Sequence, residues 1–201
     1  MARRADHTHD EIRAMAIKAA GEIIETQGLD ALKIRPLARA IGYVPGTLYN
    51  IFNGFDDLMM QVNAETIDGL LARLQAAEAQ TPPPDLRKLL LVYGGFALEH
   101  TNRWQAVFDY NLAEPDKVPD WYLQKINAGL AIVERAVARL AEGNPDCDPV
   151  ATSRILWAGL HGIFSLGTEG NLKLVSEHST NQLAIMFVSL ITKAIRGPKP
   201  A

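Results

Sequence analysis

A chain of 201 residues that is 48% hydrophobic and 21% charged has the apolar content of one compact domain or two small ones, which argues against a disordered chain. No apolar run approaches the roughly 18 residues that a membrane span requires, and the opening MARRADHTHDEIRA has no apolar stretch of the secretory kind. Cys147 is the only cysteine, so neither an intrachain disulfide nor a cysteine zinc site is available, and a cytoplasmic protein is expected. The net charge of −3 gives no general attraction to nucleic acid, so any such binding has to come from a local patch.

The first element follows a short basic arm, Arg3-Arg4. Thr8 and Glu11 fit a capping box, with Thr8 as N-cap and Glu11 reaching back from the third helical position. Ile12, Met15, Ala16, Ala19, Ala20, Ile23 and Ile24 form one apolar stripe, and Gly28 closes the helix. The stretch Lys33–Leu58 then reads as two short helices around a tight turn, with a third helix behind them. Leu37, Ala38 and Ile41 recur at helical spacing up to Gly42. Pro45 suits the first position of the second helix, where its missing N–H costs nothing. Leu48, Ile51 and Phe52 give that helix an inner face, while Gly46, Thr47, Tyr49 and Asn50 are left outward. A small residue on the first helix, a glycine in the turn and a polar outer face on the second are what a helix-turn-helix needs.

Residues 56–80 continue as a long helix carrying Leu58, Met59, Val62, Ile67, Leu70, Leu71 and Leu74. The run Thr81-Pro82-Pro83-Pro84 breaks the chain, and Asp85 can cap a helix to about Thr101. A short helix is expected from Trp104 to about Tyr110, then a loop over Glu114–Pro119. A long amphipathic helix follows from Asp120 to about Glu142, closed by Gly143-Asn144-Pro145. Asp148-Pro149 opens a helix to about Leu166, punctuated by Gly167 and Gly170, and a last helix spans about Thr180–Ile195 before a Gly/Pro tail. No segment alternates with period two, so the expected fold class is all-α with about nine helices.

Residues 8–60 resemble the DNA-binding domain of the TetR family of transcriptional regulators. The most specific stretch is G-x-x-x-G-T-L-Y-x-x-F, here Gly42 to Phe52, followed at the family's spacing by Asp57-Leu58. The later helices resemble the family's effector-binding and dimerisation domain in number and order. Within them, Trp157-Ala-Gly-Leu-His161-Gly162 resembles the W-x-x-x-H-G motif of one class of C-terminal domain. The resemblance implies a helix-turn-helix domain over residues 1–55 and an effector-binding and dimerisation domain over 56–201. The sequence departs from the family pattern at Lys33 and Val44, where hydroxyl caps are usual, at Phe55, where a phosphate-binding lysine is common, and at Ile51, where a basic or aromatic residue is common. Fewer DNA contacts than average are expected.

The DNA contacts can be assigned side chain by side chain. Only the first two turns of a helix over Pro45–Phe52 can enter a major groove. Gly46 would allow close approach to a backbone or a thymine methyl, and Thr47 can donate to a base edge or a phosphate. The resemblance assigns the Tyr49 hydroxyl to a phosphate. Tyr43 in the turn is a candidate for a backbone or thymine contact, Asn50 faces outward, and Lys33, Arg35 and Arg39 could hold phosphates. Residues 1–52 hold seven Lys and Arg against six Asp and Glu, a basic patch rather than a basic domain. Arg3 and Arg4 could reach a minor groove or remain a solvated tail. The same stretch could instead be a helical hairpin with no DNA role.

A single helix-turn-helix reads too few base pairs to find a site, so a homodimer on a double-stranded operator is expected. Its candidate interface is the last two helices, with Ile155, Leu156, Leu160, Ile163 and Phe164 on the first. On the second it has Leu183, Ile185, Met186, Phe187, Leu190, Ile191 and Ala194. A buried helix within a monomer would read the same way. Tyr93, Phe96, His100, Trp104, Phe108, Tyr110, Trp121, Tyr122, Trp157 and His161 are candidates for an effector pocket, and equally for core packing. Gly94-Gly95 permits close helix approach, ligand room or bending. Acidic and histidine spacings are those of ordinary loops, so neither metal nor cofactor is expected. The function implied is a ligand-responsive regulator, most simply a repressor released by a small apolar effector. A protein–protein adaptor and a helical enzyme are the rival classes, and the enzyme lacks a nucleophile, base and orienter at recognisable spacing.

Overall fold

The computed structural model describes residues 7–112 and 118–197. Arg3 and Arg4, residues 114–117 of the Glu114–Pro119 loop and the end of the Gly/Pro tail lie outside the described residues. Among the described residues there are nine α-helices and no strand, as the absence of period-two patterning implies. They are α1 (His9–Gln27), α2 (Ile34–Ala40), α3 (Pro45–Ile51), α4 (Phe55–Glu78), α5 (Leu86–Glu99), α6 (Thr101–Asp109), α7 (Asp120–Leu140), α8 (Pro149–Thr168) and α9 (Thr180–Arg196). None of these is long and apolar enough to cross a membrane.

The starts of α1, α5, α8 and α9 are set by side-chain oxygens that satisfy otherwise orphaned N–H groups. Thr8 and Glu11 form the expected box, with Thr8 N–H donating to Glu11 at 2.6 Å and Glu11 N–H donating to the Thr8 hydroxyl at 3.2 Å. The hydrogen bonds from Thr8 also hold the Glu11 carboxyl below its usual range. Asp85 accepts from Lys88 N–H at 2.8 Å, and Asp148 accepts from Val150 and Ala151 N–H. Ser179 and Gln182 build a second capping box at α9. The largest departure from the expected helix boundaries is at the junction of α5 and α6. His100 leaves the helical region (φ −119°, ψ 44°), so α5 stops at Glu99 and α6 begins at once with Thr101, three residues before Trp104.

The chain divides into two compact units. One unit runs to Ile67 and takes in His100–Tyr122, and the other holds Asp68–Glu99 and the chain from Leu123. The reason is the bonding of α6 to α1. Asn102 donates to the Glu25 carbonyl at 2.8 Å, Arg103 Nε donates to the Gly21 carbonyl at 3.2 Å, and His100 Nδ1 lies 3.2 Å from the Glu25 carboxylate. Asn63, buried on α4, donates to the Ala106 carbonyl at 3.0 Å. The core of this unit is Ile12, Ala16, Ala20 and Ile24 of α1 with Leu37, Leu48, Ile51, Phe52, Leu58 and Met59.

In the second unit α5, α8 and α9 pack closely, and glycines mark where they meet. A Cβ on Gly94 would strike the Phe164 ring, and one on Gly159 would strike the Phe187 ring. Of the three uses open to Gly94-Gly95, close helix approach is therefore the one realised at Gly94. Gly95 has no such neighbour within 4 Å. Phe164 is only 1% exposed and Leu160 is buried as well, so these two proposed interface residues, like Leu156, belong to the core of their own unit. They occupy the inner side of α8, whereas Ile155 lies on the outer side, 61% exposed.

The adjacent glycines give a test with opposite signs. Gly95→Ala is expected to stabilise the protein by about 1 kcal/mol through helix propensity. Gly94→Ala should destabilise it by about 1–3 kcal/mol, because an aromatic ring in a packed core must move. Denaturant unfolding of the two variants beside the wild type measures both.

Candidate nucleic-acid interface

The helix-turn-helix is built from backbone geometry more than from caps. Lys33 and Val44 occupy the N-cap positions of α2 and α3, and neither side chain makes a capping bond. Pro45 at the first position of α3 removes one of the N–H groups that would need a partner. Between the helices Gly42 adopts φ +79°, the left-handed conformation that glycine tolerates best. The Gly42 and Tyr43 N–H groups then close the turn on the Arg39 and Ala38 carbonyls at 3.1 and 2.8 Å.

The seven-residue α3 has two sharply different sides. Leu48 and Ile51 are buried in the core of the unit, and Phe52 follows them inward. On the other side Tyr49 is 58% exposed and Val44 62%, with Gly46 and Asn50 also exposed. Lys33, Arg35 and Arg39 are exposed at the start and along the outer side of α2. Pro45, Thr47 and Tyr43 are half-buried. The nine residues singled out from the sequence therefore form one exposed group of six and a half-buried group of three. Tyr43 is not free, since its hydroxyl shares a 2.8 Å hydrogen bond with His7 Nδ1.

Two contributors are not visible in the sequence reading. Arg13 on α1 donates from Nη2 to the Ile51 carbonyl at 2.7 Å and stacks its guanidinium 5.3 Å from the Phe52 ring centre. It fixes the C-terminal end of α3, whose last carbonyls have no partner within the helix. An arginine beside the apolar stripe of α1 carries no sequence signal of such a role. His7 is the second, and it lies ahead of the first predicted helix. Beyond α3, Asp57 accepts from Asn53 N–H at 2.9 Å and from Gln61 at 2.7 Å, which closes the turn into α4. Tyr110 donates to Asp56 in the first turn of α4. Burial, with the Asp56 hydrogen bond second, pushes the Tyr110 phenol above its usual range.

Eight of the ten effector candidates fall into two sets. In the second unit the Tyr93 hydroxyl lies 3.2 Å from His161 Nδ1, and Trp157 stacks on the His161 ring with centroids 5.4 Å apart. Phe96 is buried under the Arg73 guanidinium at 5.1 Å. In the first unit buried Trp104 meets Phe108 edge to face at 5.6 Å, Tyr122 is buried, and His100 faces Glu25. Two grooves in the second unit, of about 470 and 130 Å³, are lined by other residues. On the outer side of α8 and α9, Ile155, Met186 and Leu190 are exposed, Leu190 at 64%, while Leu183, Phe187 and Ile191 are half-buried.

The sequence pattern of the family described as "Tetracyclin repressor-like, C-terminal domain" matches residues 86–189. No curated protein matches the chain. Among solved structures, a protein of unknown function from a Rhodococcus species is 19% identical, with a TM-score of 0.70 over 96% of this chain and 98% of its own. The TetR-family regulator PfmR of Thermus thermophilus is 16% identical, with a TM-score of 0.59 over 92% and 99%. The fatty acid degradation regulator of Bacillus halodurans is 13% identical, with a TM-score of 0.61 over 96% and 99%. At these identities the likeness is one of fold.

Two outcomes are expected from the bonds around α3. Arg13→Ala should cost about 2 kcal/mol in a denaturant titration, from the lost carbonyl bond and the lost contact with Phe52. For Tyr110 the folded pKa is raised above the unfolded one. Its contribution is complete below the ordinary phenol value of about 10 and is lost as pH rises through the folded value. Thermal melts from neutral to alkaline pH should therefore show a smaller alkaline loss for Tyr110→Phe than for the wild type.

Proposed function

Because the chain belongs to the TetR family of transcriptional regulators, we propose that it is a homodimeric repressor. In this reading it binds its operator through the outer side of α3 and is released when a small apolar effector binds. The observation that carries the reading is the two-sided α3, whose inner side chains are spent on the core while Gly46, Tyr49 and Asn50 face solvent beside Lys33, Arg35 and Arg39. Such an exposed helix, flanked by cations and only two turns long, suits a major groove.

The roles divide by chemistry. Lys33, Arg35 and Arg39 neutralise phosphates and set the orientation, and the Tyr49 hydroxyl adds a phosphate contact. Gly46 lets the helix start approach the DNA closely, and Thr47 and Asn50 offer hydrogen bonds to base edges. Tyr43 contacts the backbone from the turn, held in place by His7. Residues 1–55 act as the DNA-binding domain and 56–201 as the effector-binding and dimerisation domain. The dimer forms through the outer sides of α8 and α9, where Ile155, Leu183, Leu190 and Ile191 supply the apolar surface and half-buried Phe187, packed on Gly159, borders it. Leu160 and Phe164 support it from behind.

For the effector, Tyr93, Trp157 and His161 combine aromatic surface with a polar handle, which fits an apolar molecule carrying one polar group. We assign the domain to the W-x-x-x-H-G class because Trp157, His161 and Gly162 match its pattern. Helix α4 is continuous from Phe55 to Glu78 and contributes residues to both compact units. An effector that binds one arrangement of α4 better than another contributes its differential affinity as coupling energy. This is a binding protein in a cytoplasmic setting, and no reaction is assigned to it.

Selection from random duplexes tests the reading. A two-fold symmetric sequence should be enriched, with half-sites about one helical turn apart. Thr47→Ala/Tyr49→Ala should then bind it about tenfold or more weakly. No enriched sequence, or equal binding by the double variant, would refute the assignment. Ile155→Glu/Leu190→Glu should sediment as a folded monomer, and a wild type that is already monomeric would remove the dimer from the proposal.

A further inference from the structure

The larger groove of the second unit is not used by any role assigned above. It has a volume of about 470 Å³, within the usual range of small-molecule sites. The segment before α5, the first turn of α5 and the C-terminal ends of α7 and α9 form its walls. Its floor is apolar, with Leu86, Leu140 and Val188 among the lining side chains. The charges are one-sided. Arg87, Arg139, Lys193 and Arg196 line the groove against a single carboxylate, Asp85, on a chain whose net charge is −3.

Local structure explains only part of this excess. Lys193, Arg196 and Arg139 sit in the last turns of α9 and α7, where helix dipoles favour cations. Arg87 is in the first turn of α5, where the dipole disfavours a cation and where α5 carries no acidic residue. Asp85 is engaged as the cap of that helix, accepting from Lys88 N–H at 2.8 Å. Arg139 donates to the Pro84 carbonyl at 3.3 Å. Among the described residues, Arg87, Lys193 and Arg196 have no carboxylate partner. Val188, Thr192 and Arg196 lie on the side of α9 away from Leu190, and Lys193, three residues beyond Leu190, stands at the edge of the groove.

We infer that this groove is a second ligand site, which takes a small amphiphilic anion. The head group, a phosphate or a carboxylate, is held by Arg87, Lys193 and Arg196, and the apolar body rests on Leu86, Leu140 and Val188. Three separate cations around one opening suit a dianion better than a monoanion. The site shares no lining residue with the Tyr93–Trp157–His161 group, and its existence does not depend on operator binding.

Isothermal titration of the full chain tests this with octyl phosphate, octanoate, inorganic phosphate and octanol at constant ionic strength. Octyl phosphate should bind saturably, one molecule per chain, and roughly tenfold more tightly than inorganic phosphate or octanol. Arg87→Gln/Lys193→Gln/Arg196→Gln should abolish that binding. Each single substitution, all at exposed positions, should weaken it, with the melting temperature moved by no more than the few degrees that a lost helix-end charge accounts for. Equal affinity for octanoate would assign a carboxylate head group within the same proposal. Absence of saturable binding would overturn it, as would octanol binding as well as octyl phosphate or an unchanged affinity in the charge-neutralised variants.

Discussion

A helix of seven residues has no stability of its own in water, since nucleation is unfavourable and too few hydrogen bonds follow to offset it. Everything that α3 can do depends on the burial of Leu48, Ile51 and Phe52 against the core around α1. Burying side chains of this size contributes about 1.5–3 kcal/mol each, enough to hold a segment whose caps are poor. Val44 offers no capping oxygen and Lys33 makes no capping bond, so packing takes over the work that local chemistry does at α1, α8 and α9. Arg13 completes the arrangement by satisfying a carbonyl that α3 cannot satisfy itself.

That dependence decides what could be read from the sequence. Local signals were legible: the Thr8–Glu11 box, Gly28, Gly42, Pro45 and the Asp148-Pro149 start all have their effect within a few residues. The apolar faces of α1 and α3 were legible for the same reason, because periodicity states which side is buried. What periodicity cannot state is the partner. The attachment of α6 to α1 rests on Asn102, Arg103 and His100 reaching carbonyls and a carboxylate more than 70 positions away in the chain. The break between α5 and α6 at His100 also has no glycine or proline to announce it.

The apolar last two helices illustrate the same limit in another form. A helix that is apolar around most of its circumference can be recognised, yet its inner and outer sides cannot be told apart until a neighbour is known. Phe164 faces Gly94 and Phe187 faces Gly159, so two of the largest side chains are taken up by glycines on adjacent helices. Ile155, Met186 and Leu190 are left on the other side. The glycines of α5 and α8 thus determine which aromatic residues turn inward, and thereby which aliphatic ones remain exposed.

The unequal sides of α3 also bear on how such a protein diversifies. Gly46, Tyr49 and Asn50 contribute almost nothing to the core, and surface substitutions away from caps and packing usually change stability by no more than about 0.5 kcal/mol. Drift at these positions is therefore nearly invisible to selection for folding, while any change there alters the chemistry presented outward. Descendants of this chain could acquire new recognition preferences through single substitutions without first accumulating stabilising ones, whereas Leu48, Ile51 and Phe52 would have to remain apolar throughout.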